Sequence, residues 1–528
     1  MRTVPAATLQ SRPAPPWIGL AALWFVAVGL ALIGLGDVPL RDFDEGTVAR
    51  VALELSQGQG EAPLLPTLWG EPYLNKAPGL HSLIAIVIKL GGGTTQLPHE
   101  GLIRVVPALL SSMVVPLGGL LQWRLRLAER GSCLATSLLL LTLLPIARHG
   151  RLAMLDGTQL SAMALLWLAL ASLSGQRSDR YWGLTAGLMG SAMLLLKAPL
   201  LIPSAAAGIA AVAWGLEWRH WRFGAALGSM TLGLLPGVAW HLWHGMNRGA
   251  QALWMWGGDG AGRVLLDAGE GSDLRWRVPL IELLEGGWPW LLLFAPALLW
   301  AWQQRRSRWG RWCLATLAVL AAAILPLKTQ LPWYSHPLWL PFALVNAPLL
   351  AWLVERRDSS VPLRWWLRRI PSIWMLLGLL LVSVTALSFT AIGAPLVPFR
   401  WLAAAAGVGW GWGGWWLQSE ALQQRQHGLV WMACGSVLAL SLLFSTPLWL
   451  WELNERWPVE PVASLSRLSP AAPLRLQGYD ERPSLNWYAG QRIRRGRSRD
   501  AGWFLTKKPG DQCVVAAQEG DWALAQCR

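Results

Sequence analysis

Three short stretches carry the residues equipped for chemistry. RDFDEGTVAR, residues 41–50, sets three acids and two arginines within ten positions. Asp44 and Glu45 precede Val48, Val51, Ala52 and Leu55, the spacing of an amphipathic helix. Asp44 then reads as the N-cap of that helix and Glu45 as an acid favoured by its dipole. A carboxylate at the same point is equally able to act as a general base, while Arg41 reads as an interfacial anchor. PYLNKAPGLH, residues 72–81, puts Lys76 just before Pro78 and an apolar run. Such a lysine either snorkels to headgroups or holds a phosphate at a helix N-terminus, where ammonium and dipole act together. ARHGRLAMLDGTQL, residues 147–160, carries Arg148, His149, Arg151 and Asp156. An anionic partner and an ion pair with Asp156 are the two explanations for these arginines. Lys197 in LLLKAPL and Lys328 in LPLKTQLPWYSHP add two cations at helix ends, where charge at membrane depth is costly unless paired or functional. Several cations beside two carboxylates, Asp44 and Asp156, suit a phosphate-bearing lipid substrate and a carboxylate-assisted reaction.

The elements that must position these residues follow from composition. Of 528 residues, 54% are hydrophobic and 14% charged, against about 25% charged in soluble domains, so the chain reads as an integral membrane protein. Apolar runs of about 18–25 residues, the length of a membrane-crossing helix, recur from position 17 to about 451. They lie near 17–36, 101–122, 131–147, 157–174, 181–197, 199–216, 223–243, 283–302, 311–327, 336–354, 371–390, 394–416 and 428–450, about thirteen crossings in all. The first reads as a span rather than a cleaved signal. GLHSLIAIVIKL, residues 79–90, reaches only about 18 Å as a helix and is expected to lie in the interface. Residues 1–451 are therefore expected to form the membrane domain and 452–528 a small soluble domain.

Basic loops orient the spans. Arg124/Arg126/Arg130, Arg177/Arg180, Arg219/Arg222, Arg305/Arg306/Arg308/Arg311 and Arg356/Arg357/Arg364/Arg368/Arg369 all fall inside if the N-terminus is cytoplasmic and the C-terminus is not. Segments 37–100, 148–156, 244–282 and the tail then share the outer side with the candidate residues. The formal charge of +15 is scattered over these loops without a continuous basic face, which argues against a nucleic-acid partner. Cys133, Cys313 and Cys434 sit in apolar runs as small core residues. Cys513 and Cys527 have the option of pairing if the tail lies outside the cytoplasm.

Asp-Glu in the first outer loop, then Lys-x-Pro before an interfacial helix, Arg-x-x-x-x-Asp, and Lys-x-x-x-Pro-x-Tyr together resemble the polyprenyl-phosphate-dependent glycosyltransferases of the GT-C fold. Within that class the chain resembles bacterial aminoarabinose (lipid A) transferases and protein O-mannosyltransferase-like enzymes. ERPSLNWYAGQ, residues 481–491, is similar to their soluble C-terminal domain. The resemblance spans nearly the whole chain and rests on the order and sidedness of the motifs. It implies an all-α GT-C membrane bundle with a small α/β C-terminal domain in the bacterial inner membrane. It further implies inverting transfer of a hexosyl or pentosyl group from a polyprenyl-phosphate donor to a lipid, glycan or protein acceptor. Residue by residue, it implies Asp44 and Asp156 as the catalytic acids and Lys76, Lys197 and Tyr334 as donor-phosphate contacts. Arg151, Lys328 and Tyr73 are further donor contacts, with Glu45, Arg148 and His149 in support. No cofactor is called for; a divalent metal stays open, with no ligands singled out. Thr47 and Val48 stand where relatives often carry Arg and Tyr, and Lys76-Ala77-Pro78 replaces Lys-Pro-Pro, departures that bear on the sugar and acceptor.

Segment 244–282, with Trp254, Trp256, Asp259, Asp267, Glu270 and Asp273, is expected as a lid over sugar and acceptor, although tryptophan also favours membrane interfaces. A transporter or flippase of lipid-linked sugars is the main alternative and would require inverted repeats with charges near the midplane; the sequence has no visible repeat. A non-catalytic binder of lipid-linked sugars is the other.

Overall fold

A computed structural model describes residues 14–59, 62–92, 97–258, 262, 276–356, 361–450, 459–469, 473–496 and 501–527. Every expected apolar run folds as helix. The first half contains α1 (Trp17–Leu32), α2 (Asp44–Gln57), α3 (Gly79–Leu90), α4 (Glu100–Ser112), α5 (Val114–Leu125), α6 (Arg130–Thr142), α7 (Leu144–Gly150), α8 (Leu155–Ser172), α9 (Asp179–Lys197), α10 (Leu201–Trp214) and α11 (Phe223–Arg248). The second contains α12 (Arg277–Gly286), α13 (Phe294–Gln303), α14 (Arg308–Ile324), α15 (His336–Glu355), α16 (Ile370–Leu387), α17 (Arg400–Leu417) and α18 (Leu422–Phe444).

By length and composition, six helical stretches among the described residues are apolar enough to cross a membrane, or eight if each of two bent pairs counts as one. This is fewer than the thirteen runs read from the sequence. α1 and α14 are short of a full crossing length, α9 and α10 merge into one helical stretch of 36 residues, and α17 is diluted with glycine and tryptophan. The stretch containing α15 is 89% buried and forms the centre, whereas those containing α11 and α16 are 22% buried and turn apolar faces outward. α16, α17 and α18 pack through small residues. A Cβ on Gly378 would lie 2.2 Å from the Gly411 nitrogen, the close backbone approach by which membrane helices associate.

The candidate residues belong to a layer at one end of this bundle. α3 is the short helix expected over 79–90. It buries Leu80, Ile84 and Ile88 in a cluster with Val48, Ala52 and Ile103, and leaves Leu83, Ile86 and Leu90 exposed. Three such buried side chains contribute about 1.5–3 kcal/mol each, enough to hold a 12-residue helix that would not persist alone. A small hairpin, β1 (Thr67–Leu68) with β2 (Glu71–Pro72), hangs from the far end of α2. There Glu54 accepts from the Thr67 hydroxyl at 2.6 Å and the Trp69 nitrogen at 2.7 Å. Arg248 donates to the Tyr73 and Pro66 carbonyls at 2.9 and 2.8 Å and fastens the same loop to α11.

The C-terminal domain comprises α19 (Val459–Ser466), α20 (Pro483–Ala489) and the strands β3 (Leu474–Gln477), β4 (Arg494–Gly496), β5 (Gly502–Thr506), β6 (Cys513–Glu519) and β7 (Trp522–Cys527). The sheet order is β4-β3-β5-β7-β6, parallel on one side of β5 and antiparallel on the other. Cys513 and Cys527 are joined as a disulfide across the last hairpin. The expected boundary at 451/452 lies outside the described residues. Cys434 departs from its expected core position and is exposed.

One buried ion pair ties the layer together. Arg104 of α4 donates to both Glu45 oxygens, at 2.8 and 2.7 Å, and to the carbonyls of Leu35, Val38 and Pro39. Glu45 also accepts from the Arg41 and Ala153 nitrogens at 3.0 and 2.7 Å. Glu45 is the first-turn acid expected of it and is also a structural hub. Asp44 is not the N-cap: Phe43 holds that position with helical dihedrals and no side-chain cap. The Glu45 bonds to Arg104 and Ala153 anchor the helix start instead. Arg104→Leu leaves Glu45 buried and unpaired, a loss of about 3–5 kcal/mol. Heated, detergent-solubilised variant should lose monodisperse elution at a markedly lower temperature than the parent, and equal thermal resistance would deny Arg104 this role.

Candidate functional site

α2 begins at Asp44, between Asp42 and Glu45, both of which are committed to structural contacts. Asp44 itself is half-buried. Its carboxylate lies in electrostatic reach of two side chains that the sequence separates widely, Tyr73 and Lys197. Burial first, and the charge of Asp44 second, hold the Tyr73 hydroxyl above its ordinary pKa. Tyr73 is thus a neutral hydrogen-bond donor throughout the working range of a cell.

α3, which follows Lys76, approaches the end of α9 closely. A Cβ on Gly79 would stand 2.5 Å from the Leu195 carbonyl oxygen, so only glycine permits this contact. α9 ends two residues later at Lys197, where the helix dipole favours a cation. Lys197 Nζ donates to Asp156 Oδ1 at 2.9 Å, from the first turn of α8, and lies 5.0 Å from the Tyr334 ring centroid. Gln159 Nε2 donates to the Lys197 carbonyl at 3.3 Å and keeps the two helix ends in register. Asp156 is therefore paired with Lys197, 41 positions on, rather than with either arginine of its own stretch. Lys76 precedes α3 and exerts its charge on His81. Burial, reinforced by that charge, pushes the His81 imidazole down to about 4, so it is neutral at neutral pH. The ring of His81 meets Tyr73 edge-on at 5.6 Å.

The structure thus groups Asp44, Tyr73, Lys197, Asp156 and Tyr334, with Lys76 within electrostatic reach of the His81 ring that meets Tyr73. A second polar group adjoins it. Arg148 donates to His149 Nε2 at 3.2 Å, and His149 Nδ1 lies 3.0 Å from His336 Nε2. His336 is in turn within electrostatic reach of Asp156, Arg148 and Lys197. Glu282 and Glu285 of α12 face Arg148. Lys328 sits exposed on the turn after α14.

Arg151 has a different setting. Its guanidinium is fully buried between the rings of Phe444 and Trp449, at 4.3 and 4.5 Å, and donates to the Ile33 carbonyl. Its electrostatic neighbours are Arg104, Glu45 and Asp37. It clamps the α7–α8 turn to α1 and α18. Of the expected lid, Trp254 is exposed and Trp256 half-buried; Asp259, Asp267, Glu270 and Asp273 lie outside the described residues. Among the described residues, no group of three or more His, Cys, Asp or Glu side chains could hold a metal ion.

The C-terminal domain rests directly on the start of α2. Asp42 Oδ1 accepts from the Ser484 nitrogen at 2.7 Å, and Arg482 lies 3.8 Å from its other oxygen. Tyr488 accepts from the Leu40 nitrogen and donates to Glu100, both at 2.7 Å. Gly46 is the point of closest approach, where a Cβ would meet the Ser484 nitrogen at 2.5 Å. The sequence reading passed over Arg104, His81, His336, Asp42 and Tyr488. A charge inside the apolar run GLIRVVPALL was the available signal for Arg104, and the Ser-His-Pro beside Tyr334 was the one for His336.

No family model matches the chain, and no curated protein does. Solved structures do. ArnT from Cupriavidus metallidurans bound to undecaprenyl phosphate aligns with a TM-score of 0.69 at 16% identity, over 97% of this chain and 98% of that one. The same protein in the apo state gives 0.70 at 14%, over 96% and 97%. The apo oligosaccharyltransferase of Archaeoglobus fulgidus gives 0.50 at 11%, over 90% of this chain and 64% of that one. The fold is therefore that of the GT-C membrane proteins. Within that class the architecture follows ArnT from end to end, C-terminal domain included.

Gly46→Val should lift the C-terminal domain from α2. In a Cys434→Ala background, a cysteine introduced by Ser484→Cys is buried and should resist maleimide; adding Gly46→Val should make it label readily. Unchanged labelling would mean that the contact is not held by this glycine.

Proposed function

We propose that this protein is a multi-pass membrane glycosyltransferase that moves a sugar from a polyprenyl-phosphate donor to a lipid, glycan or protein acceptor at the extracytoplasmic face. The observation that carries this reading is the juxtaposition of Asp44 with the Lys197–Asp156–Tyr334 group. It occurs in a chain that aligns along its whole length with an ArnT structure holding undecaprenyl phosphate.

The chemistry follows from charge. Breaking the bond between the sugar's anomeric carbon and the phosphate oxygen leaves growing negative charge on the phosphate, which preorganised donors stabilise. Lys197 and Lys76 supply cations, while Tyr73 and Tyr334 supply neutral hydroxyl donors. Asp156 keeps the Lys197 ammonium oriented. An acceptor hydroxyl attacks the anomeric carbon from the opposite face, its oxygen forms the new bond, and its proton passes to Asp44. The configuration inverts. An acceptor that is itself an ionised phosphate needs no base, and Asp44 then serves to hold the sugar. Arg148, His149 and His336 support Asp156, and Lys328 at the rim attracts the anionic headgroup.

Sidedness is supported chiefly by the C-terminal domain, since the threading that gathers the arginine-rich loops on one side needs about thirteen crossings and the described residues contain six to eight stretches long and apolar enough to cross. The Cys513–Cys527 bond suits an oxidising compartment for the C-terminal domain. The inferred setting is a bacterial inner membrane, with the N-terminus cytoplasmic and the site and C-terminus outside.

Purified protein given polyprenyl-phosphate sugars should release the free lipid phosphate. Asp44→Asn should lower turnover by about 10²–10⁴-fold with normal elution, whereas Lys197→Ala should chiefly weaken undecaprenyl phosphate binding. Full turnover by Asp44→Asn would remove it from the reaction. For topology, cysteines introduced by Leu127→Cys and Gln251→Cys should label from opposite faces of sealed vesicles; labelling from the same face overturns the orientation.

A further inference from the structure

Between the first outer loop and the C-terminal domain lies a cavity of about 410 Å³, of whose lining the proposed transfer uses Tyr73 alone. Three distant parts of the chain wall it: Glu71, Tyr73 and Asn75 from the loop, Trp254 beyond α11, and Arg492 from the C-terminal domain. Its size falls within the roughly 300–1,000 Å³ of small-molecule sites. Neither Lys76 nor Lys197 lines it.

The charges at this cavity are already balanced. Arg492 donates to Glu71 at 2.6 Å and to both oxygens of Glu481 at 2.7 and 3.2 Å, and Arg494 donates to Glu71 at 2.6 Å. Two guanidinium groups thus meet two carboxylates. The hydrogen bond and charge of Arg492 hold the Glu71 carboxyl below its usual range, so the balance persists at neutral pH. Among the described residues, a phosphorylated ligand finds no surplus cation lining the cavity. What the cavity offers is the indole of Trp254, 55% exposed with Gly258 over one side of its ring, together with an amide and the edges of a fixed ion pair. An apolar face flanked by hydrogen-bonding groups without net charge is complementary to a pyranose ring, whose C–H face is apolar and whose rim is hydroxyl.

We propose that this cavity binds an uncharged saccharide, with the ring stacked on Trp254 and its hydroxyls bonded to Asn75, Glu71 and Arg492. Joined to the transfer reaction, it is a second sugar contact beside the reacting one, on the acceptor. Because binding is measured without turnover, its failure leaves the transferase reading standing.

Detergent-purified protein should be applied to printed arrays of neutral and phosphorylated oligosaccharides. The parent should retain neutral glycans in preference to phosphorylated ones, and Trp254→Ala, a change at an exposed side chain, should weaken retention about tenfold. Glu71→Gln removes the carboxylate that Arg492 and Arg494 share, and should shift preference toward phosphorylated glycans. Retention of no neutral glycan by the parent, or a preference for phosphorylated ones, would overturn the proposal. So would parental binding by Trp254→Ala, which would mark Trp254 as an interfacial anchor only.

Discussion

The Glu45–Arg104 pair is the contact on which the outer layer of this protein depends. Desolvating two charges costs several kcal/mol per ion, and the cost is offset only when every donor and acceptor is used. Here the requirement is met: the guanidinium has five N–H groups, and five bonds leave it, two to Glu45 and three to the loop carbonyls of Leu35, Val38 and Pro39. Glu45 adds the backbone nitrogens of Arg41 and Ala153. One ion pair therefore fixes the exit of α1, the start of α2, the middle of α4 and the α7–α8 turn. Arg151 follows from the same turn and locks it from behind against Phe444 and Trp449.

Such bracing fixes where each acid of a dense cluster stands. Asp42 turns to the C-terminal domain, Glu45 to Arg104, and Gly46 to the backbone of α20. Asp44, between them, faces the loop that carries Tyr73 and the helix end that carries Lys197. Precision in an active group comes from the fixed geometry of its neighbours, and here both neighbours are held by buried bonds. The C-terminal domain is part of that fixture rather than an appendage, since Tyr488 reaches Leu40 and Glu100 at once.

Polar side chains elsewhere in the bundle divide into those that hold helices and those that gather at the outer layer. Lys197 and Asp156 close the ends of α9 and α8 upon each other, and the pair stays partly solvated, with the lysine side chain 19% exposed. Breaking a pair buried to this degree leaves an uncompensated charge, so the pair holds the ends of the two helices together. The neighbouring His149–His336 contact is fully buried, and His336 lies within electrostatic reach of Asp156.

Much of this was legible in residue order. Hydrophobic periodicity located the helices, including the short α3 over 79–90, because a 3.6-residue stripe is a local property. The acids and lysines of the outer loops stood out because charge is rare in such a chain. Two kinds of information were not local. How many helical stretches are long and apolar enough to cross depended on bends and merges that composition does not encode, as at α6–α7 and α9–α10. Which charge meets which was decided by packing alone. Asp156 takes Lys197 rather than its neighbouring arginines, Glu45 takes Arg104, and Arg151 goes to aromatic rings, because helix ends brought together by Gly79 and Gly46 set distances that no sequence spacing contains. The sequence by itself determined a polytopic helical protein with its acids gathered in the segments between apolar runs; only the tertiary structure decided which of them brace the start of α2 and which lies within reach of Tyr73 and Lys197.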